Sequence, residues 1–408
     1  MWFGNLTILT PEGIIHRAAL CIEAGTIREV RTGPLPPGAV DLSGLMAIPG
    51  LIDLHGDMFE REIHPRPHAT IPAEIALAEV DKRLANSGVT TAFSAISFAW
   101  HRGDSLRSEA AARRYIETLH RERHRLAADH HVHARFEITN PAAGEVLESL
   151  LERGLIQMVS VMDHTPGQGQ YRDIEAYIRF SIEWARRTEG RELGRQEVLE
   201  RIESAQRHPK GWDAVRSVSL AARRRGIPLA SHDDDCPQKV AFMADMGCSV
   251  SEFPVTLEAA QAARQHGLHT IMGGPNAFRG ESHSGNLSAR TAAEQGLLDI
   301  LASDYYPPAM LLAAFTLADR GILPLAQSLE LITVRPARAL GLLDRGTIEP
   351  GMRADVTVLE PQPWPRVRAT LRGGVPIYCD GVGFLRTLST SDTGPQGGGP
   401  GRTSAATP

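Results

Sequence analysis

Leu51-Ile52-Asp53-Leu54-His55-Gly56-Asp57 is an apolar run that ends on an imidazole, with a carboxylate two residues further on. On an extended backbone that spacing puts both groups on one side. Seven more runs follow: Val89–Ala95, Val132–Thr139, Leu155–Asp163, Ile227–Ser231, Ser249–Phe253, His269–Met272 and Asp299–Ser303. Amphipathic helical stretches separate them, which reads as repeated βα units. Eight such runs are what a closed (β/α)8 barrel requires. The expected fold class is therefore α/β, a TIM-like barrel.

The flanks read differently. Short strands with turns are expected at Asn5–Leu9, Ala18–Ile22 and Thr26–Val30, and again at Ala354–Leu359 after Gly346-Thr347-Ile348-Glu349-Pro350-Gly351. The two ends are thus expected to build one small β-domain, 1–49 with 345–385, around a barrel domain at 50–344. From about Ser389 the chain is Ser, Thr, Gly and Pro with almost nothing apolar. It cannot bury enough surface to offset ordering entropy, so 386–408 is expected to be a disordered tail. The stretch from about Pro166 to Gly226 is too long for a plain connection. It is expected to hold helices at Ile174–Arg187 and Gln196–Arg207 and to cap the site.

Composition narrows the function. Lys+Arg 43 against Asp+Glu 48 gives a net charge of −5 with no basic stripe, which disfavours nucleic acid as a partner. Cys21, Cys236, Cys248 and Cys379 are scattered, without the paired spacing of a disulfide framework or a thiolate zinc site. No apolar run approaches a membrane span and the N-terminus lacks a signal-peptide pattern, so a cytoplasmic protein is expected.

Barrel enzymes carry their chemistry at the C-terminal ends of strands. Here the runs end on, or lead to, His55 with Asp57, Glu137, His164, His232 and Asp304. Glu137 faces inward if Phe136 faces the helices. A lone His at a strand end is more often structural, but five coinciding ends of ligand type point to a metal centre. Imidazole and carboxylate donors suit zinc, manganese or iron. Two ions are expected, zinc before manganese or iron, with Glu137 as the bridging carboxylate and a bridging water made acidic. His130, His131 and His133 begin their strand and are expected at the opposite end of the barrel, as solvated or capping residues. The Arg-rich stretch Arg113–Arg125 reads as the wet face of a helix, and Cys236 as structural.

Ile48-Pro49-Gly50-Leu51-Ile52-Asp53-Leu54-His55 resembles the first-strand motif of the amidohydrolase superfamily, and Gly346 through Asp355 resembles its return to the small β-domain. The usual motif is His-x-His; here Asp57 stands at the second His. His55-Gly56-Asp57 with Glu60 and His64-Pro65-Arg66-Pro67 is similar to the α-D-ribose 1-methylphosphonate 5-triphosphate diphosphatase family of the carbon–phosphorus lyase pathway. Further blocks agree: Asp163 to Gln168, Ser231 to Asp234, Ser251 to Pro254, Met272 to Asn286 and Leu298 to Tyr305.

That resemblance implies hydrolysis of a ribose 5-triphosphate between its α- and β-phosphates, leaving the 5-phosphate and pyrophosphate. Asp304 would hold a metal and take the nucleophile's proton, with His283 as a second catalytic group. Glu60, Arg66, Asn276, Arg279, His283, Ser284 and Asn286 would contact substrate, a small phosphorylated ribose. The glycines near residue 274 would let backbone N–H groups approach phosphate, or form an ordinary turn. A homodimer stays open.

Two other readings compete. An amide or cyclic-imide hydrolase, like D-aminoacylase or dihydroorotase, would use a carbamylated Lys or a Glu as bridge. None of Lys82, Lys210 and Lys239 stands at a suitable strand end. A non-catalytic assembly protein on the same fold would be expected to have lost its ligands.

Overall fold

The computed structural model describes residues 1–66, 69–99, 107–282 and 285–381, with backbone alone at 188–189. Eight parallel strands form the central sheet: β1 Leu51–Gly56, β2 Val89–Phe98, β3 Asp129–Glu137, β4 Met158–Met162, β5 Leu229–His232, β6 Val250–Glu252, β7 His269–Gly273 and β8 Ile300–Ala302. Each of the eight expected runs supplies one of them. The tail expected at 386–408 lies outside the described residues, as do His283 and Ser284.

Neighbours in sequence are neighbours in the sheet from β1 to β8. The ring closes between β8 and β1 through a parallel bridge, Gly56 with Asp304. There Asp304 N donates to His55 O at 2.9 Å and Asp57 N to Asp304 O at 2.7 Å. Lower down the seam is filled by another segment: Ile52 N donates to Ile332 O and Leu301 N to Leu331 O. The buried carboxylate of Asp53 ties the two strands together, accepting from Ser303 N at 2.9 Å, Ser303 Oγ at 2.5 Å and His55 N at 3.2 Å. The closure that joins the first and last strands thus lies beside His55, Asp57 and Asp304.

Alternation along β3 shows how the strands divide their residues. Val132, Ala134 and Phe136 join the outer core with Phe98, Leu147 and Val159, under the helices. Burying such side chains contributes roughly 1.5–3 kcal/mol for each large one. His133, Arg135 and Glu137 take the other parity and face the barrel interior. Ile52, Leu54, Met158, Ala230, Val250 and Ile300 fill the inside below the site.

A second sheet joins the chain ends. Met46–Pro49 pairs antiparallel with Val356–Glu360 and parallel with Trp2–Thr10, so the two termini meet in its middle. Its core holds Leu6, Ile8, Leu20, Ile27, Ala47, Val356 and Leu371. Between β4 and β5 lie the helices Ile174–Trp184, Arg195–Arg207 and Trp212–Arg224. The first two share a small core of Ile178, Ala185, Leu193, Val198 and Ile202. The third packs into the barrel's outer core through Val215, Val218 and Ala222. No helix among the described residues is long and apolar enough to cross a membrane.

Candidate metal centre

Three strands leave the barrel through residues in the left-handed region: Asp233 after β5 (φ 52°), Phe253 after β6 (φ 54°) and Asp304 after β8 (φ 55°). Non-glycine residues held there carry strain, and such strain gathers at functional sites. At this rim the side chains converge.

Glu252, the last residue of β6, lies fully buried between two imidazoles. Its Oε1 is 2.6 Å from His55 Nδ1 and its Oε2 is 2.6 Å from His232 Nδ1. Glu137 does the same for His164, with Oε2 2.8 Å from Nδ1. A carboxylate on Nδ1 fixes the Nδ1–H tautomer and leaves the lone pair on Nε2, the arrangement second-sphere carboxylates give to metal-binding histidines. Each Nε2 has an acid nearby: His55 is 3.3 Å from Asp57, and His164 and His232 are both 3.6 Å from Asp233 Oδ2.

Arg135 sits in the middle. Its Nη1 is 3.2 Å from Asp57 Oδ1 and its Nη2 is 3.1 Å from His232 Nε2, while its buried Nε has no hydrogen-bond partner. The electrostatics follow from this packing. Burial pushes the His55 imidazole down, but Glu252 and Asp57 on its two nitrogens outweigh that and raise its pKa to about 10, so a cation taking Nε2 must displace a proton there. Burial pushes the Asp57 carboxyl up, but Arg135 and His55 hold it well below the usual carboxylate range. Burial raises the Asp304 carboxyl to about 7, with the charge of Asp57 adding to the effect. Burial lowers the His133 imidazole to about 3.

The residues present fit a divalent cation. Thiolates are missing from the donor set, which is imidazole and carboxylate throughout. His164, His232 and Asp233 form one group whose donor atoms lie within 4.8 Å of one another, and His55, His133 and Glu252 form another. Asp233 Oδ2 and His133 Nε2 are buried without hydrogen-bond partners, the condition an ion or ordered water relieves.

The structure brings together His55, Asp57, Glu137, His164, His232 and Asp304. It changes the part expected of Glu137, which holds His164 Nδ1 rather than standing free to bridge two ions. His133 is also corrected: it is fully buried against the site, donating from Nδ1 to Leu54 O at 3.1 Å. His130 is buried at the other end of the barrel, 2.9 Å from Asp81 Oδ1.

The expected substrate contacts divide. Glu60 is buried, with Oε1 accepting from Ser97 N at 2.8 Å and Oε2 from Arg107 Nε at 2.9 Å. The expected Gly-rich turn after β7 is instead a short helix, Gly274–Arg279, whose Asn276 uses its amide on Leu287 O and Ala289 N and so ties it to the start of the next helix. Gly274 answers to packing, because a Cβ there would lie 3.0 Å from the Ala309 backbone. Arg66 is exposed, Arg279 pairs with Glu281 at 3.5 Å, and Asn286 Nδ2 donates to Gln170 O at 3.4 Å. His283 and Ser284 lie outside the described residues.

Three residues of the centre escaped the sequence reading. Glu252 and Asp233 stand in motifs whose sequence assigns them no role. Arg135 shares the parity of Glu137, the one signal in the sequence that places it inside the barrel. The segment after β4 adds Tyr171, whose ring lies 6.2 Å from that of His164. It is set there by Gly169, whose N donates to Asp235 Oδ2 at 2.8 Å and whose positive φ places it against the Asp233 carbonyl.

The chain is thus a (β/α)8 barrel with a rim of histidines and carboxylates and a small sheet built from both ends. Residues 192–378 match the model of the amidohydrolase family. The chain is 40% identical over 364 residues to alpha-D-ribose 1-methylphosphonate 5-triphosphate diphosphatase of Escherichia coli strain K12, covering 87% of this chain and 94% of that one. It belongs to the amidohydrolase family, on the branch of that diphosphatase. Solved structures share the fold at low identity. Molinate hydrolase matches at a TM-score of 0.60 and 13% identity, over 100% of this chain and 98% of that chain. A beta-aspartyl dipeptidase from Fervidobacterium islandicum-AW-1 matches at 0.59 and 17%, over 93% and 97%.

Proposed function

We propose that this chain is a divalent-metal-dependent diphosphatase of phosphonate catabolism. It hydrolyses the α–β phosphoanhydride of α-D-ribose 1-methylphosphonate 5-triphosphate to the 5-phosphate and pyrophosphate, in the cytoplasm. The observation that carries this reading is the 40% identity to the Escherichia coli enzyme across nearly the whole of both chains. The convergence of His55, Asp57, His164, His232, Asp233 and Asp304 at the barrel rim supports it.

Those six residues are the donors offered to metal, with zinc, manganese and iron all suited to them. When bound, the metal supplies a Lewis acid for the phosphoryl oxygens and an acidified water. The chain's own residues do the rest. Glu252 and Glu137 hold the imidazoles with Nε2 toward the rim. The Asp304 carboxylate takes the proton of the attacking water as general base. Arg66 and Arg279, on the segments that follow β1 and β7, offer positive charge to the departing pyrophosphate.

The test is product analysis with the metal-reconstituted protein. Incubation with the ribosyl triphosphate is expected to release pyrophosphate, while N-acyl amino acids and cyclic imides are left intact. Orthophosphate as the first product, or amide hydrolysis at a comparable rate, would sink the proposal.

A further inference from the structure

We propose that Tyr171 contacts the substrate, its hydroxyl donating a hydrogen bond to a non-bridging oxygen of the phosphoryl group under attack. The proposal rests on the diphosphatase reading above and adds a residue to it.

The backbone around Tyr171 is tied down from several directions. Gly167 N donates to Tyr171 O at 2.9 Å and Tyr171 N to Gln168 O at 3.1 Å, which closes a tight turn. Gly169 N donates to Asp235 Oδ2 at 2.8 Å, Gln206 Nε2 to Pro166 O at 2.9 Å and Asn286 Nδ2 to Gln170 O at 3.4 Å. These partners come from the segment after β5, from helix Arg195–Arg207 and from the segment after β7. Two residues beyond Tyr171, Asp173 caps helix Ile174–Trp184 by accepting from Ala176 N at 2.9 Å. The turn is a fixed mount for the side chain it carries.

The ring and the hydroxyl have different surroundings. The ring packs edge-on against Tyr177, with centroids 4.8 Å apart, and lies 6.2 Å from the ring of His164. That packing needs an aromatic ring and would be met equally by Phe. The hydroxyl has no hydrogen-bond partner among the described residues, while Asp233, Arg107 and Arg135 act on it through their charges. Those three stand after β5, after β2 and within β3, so the phenol oxygen lies over the barrel mouth. Burial, with Tyr177 and Asp233 adding to it, pushes the phenol up to about 12. It keeps its proton and remains a donor.

A donor placed here meets an anion. Tyr171 borders His164, His232 and Asp233, the group whose donor atoms lie within 4.8 Å of one another. Arg107 is held on the same mouth by Glu60 Oε2, 2.9 Å from its Nε. A cation-binding group and a guanidinium frame a place for a phosphoryl group, with the phenol as a neutral donor beside them. Charge grows on the phosphoryl oxygens during hydrolysis, and a donor already fixed there stabilises it without reorganising.

Phosphate binding tests this apart from turnover. Zn(II)-reloaded wild type and Tyr171→Phe are titrated with inorganic phosphate by calorimetry, and metal content is measured on the same samples. The substitution keeps the ring against Tyr177 and removes the hydroxyl alone. Tyr171→Phe is expected to hold as much metal as wild type and to bind phosphate about 10–100-fold more weakly, the loss of one hydrogen bond to a charged group. Equal phosphate affinity in the two proteins overturns the proposal. So does a Tyr171→Phe that has lost its metal, because Tyr171 would then act through His164. A second measurement does not depend on how that variant folds. With Tyr171 replaced by 3-fluorotyrosine, which keeps the hydroxyl, the fluorine resonance is expected to move as phosphate saturates the protein. A resonance that stays in place overturns the proposal. Pyrophosphate release by wild type is read separately, so failure of the reaction and failure of this contact are told apart.

Discussion

Glu252 holds the Nδ1 atoms of His55 and His232 at 2.6 Å each, joining barrel strands one and five through the end of strand six. One carboxylate thereby sets the tautomer and ring angle of two candidate ligands.

Replacing Glu252 by Gln keeps the shape but puts an amide nitrogen where one imidazole N–H must donate. Loss of an outer partner of this kind typically costs 10–100-fold in metal affinity or activity. Glu252→Gln is expected to bind Zn(II) about 10–100-fold more weakly in a chelator competition. Unchanged affinity would show that the imidazoles are oriented by something else.

Asp53 is a test of the barrel seam rather than of the chemistry. It is fully buried and accepts from Ser303 twice and from the His55 amide. Asp53→Ala leaves those donors without acceptors and is expected to destabilise the fold by about 3 kcal/mol. A urea midpoint within error of wild type contradicts this account of the closure.

These two residues also mark how far the sequence could be read. All eight barrel strands were legible because parallel strands buried on both faces are continuous apolar runs. Ends such as His55, His164 and His232 stood out because each interrupts such a run. Glu252 did not, since β6 is only three residues long and its partners lie 197 and 20 positions away. Arg135 was hidden for another reason. A charged residue inside a strand reads as exposed unless strand parity turns it inward, as it does for Arg135 with Glu137. The conversion of Glu137 from expected bridge to holder of His164 could not be read from spacing at all, because both placements use the same strand end.

Gly274 separates packing from phosphate recognition in the short helix that follows β7. Its ideal Cβ would sit 3.0–3.1 Å from Ala309 and Met310 backbone atoms, where helix Pro308–Asp319 cannot yield as a side chain would. Gly274→Ala is expected to cost about 1–3 kcal/mol, read as a lower urea midpoint in the absence of substrate. Full stability with weakened substrate binding would instead favour a phosphate-contacting role.

Asp81 provides a pH-dependent element far from the rim. Burial pushes its carboxyl up, but the His130 side chain and the amides of Ala127 and Ala128 outweigh that and hold it below its ordinary value. A depressed folded pKa stabilises above the unfolded value, about 3.9, and that contribution is lost as pH falls through the folded one. Asp81→Asn is therefore expected to be less stable than wild type at pH 7, by about 1.5–3 kcal/mol for hydrogen bonds to a charged group. The gap should hold to about pH 5 and shrink below about pH 4. A gap that widens in acid would contradict the assignment.

The central claim is water attack at the α-phosphorus. It is tested most directly by running the reaction on α-D-ribose 1-methylphosphonate 5-triphosphate in water enriched in oxygen-18 and reading the products by phosphorus NMR. The prediction is one oxygen-18 in the ribose 5-phosphate group, seen as an upfield isotope shift, and unlabelled pyrophosphate. Label in the pyrophosphate, or labelled orthophosphate beside a ribosyl diphosphate, would place the attack elsewhere and contradict it.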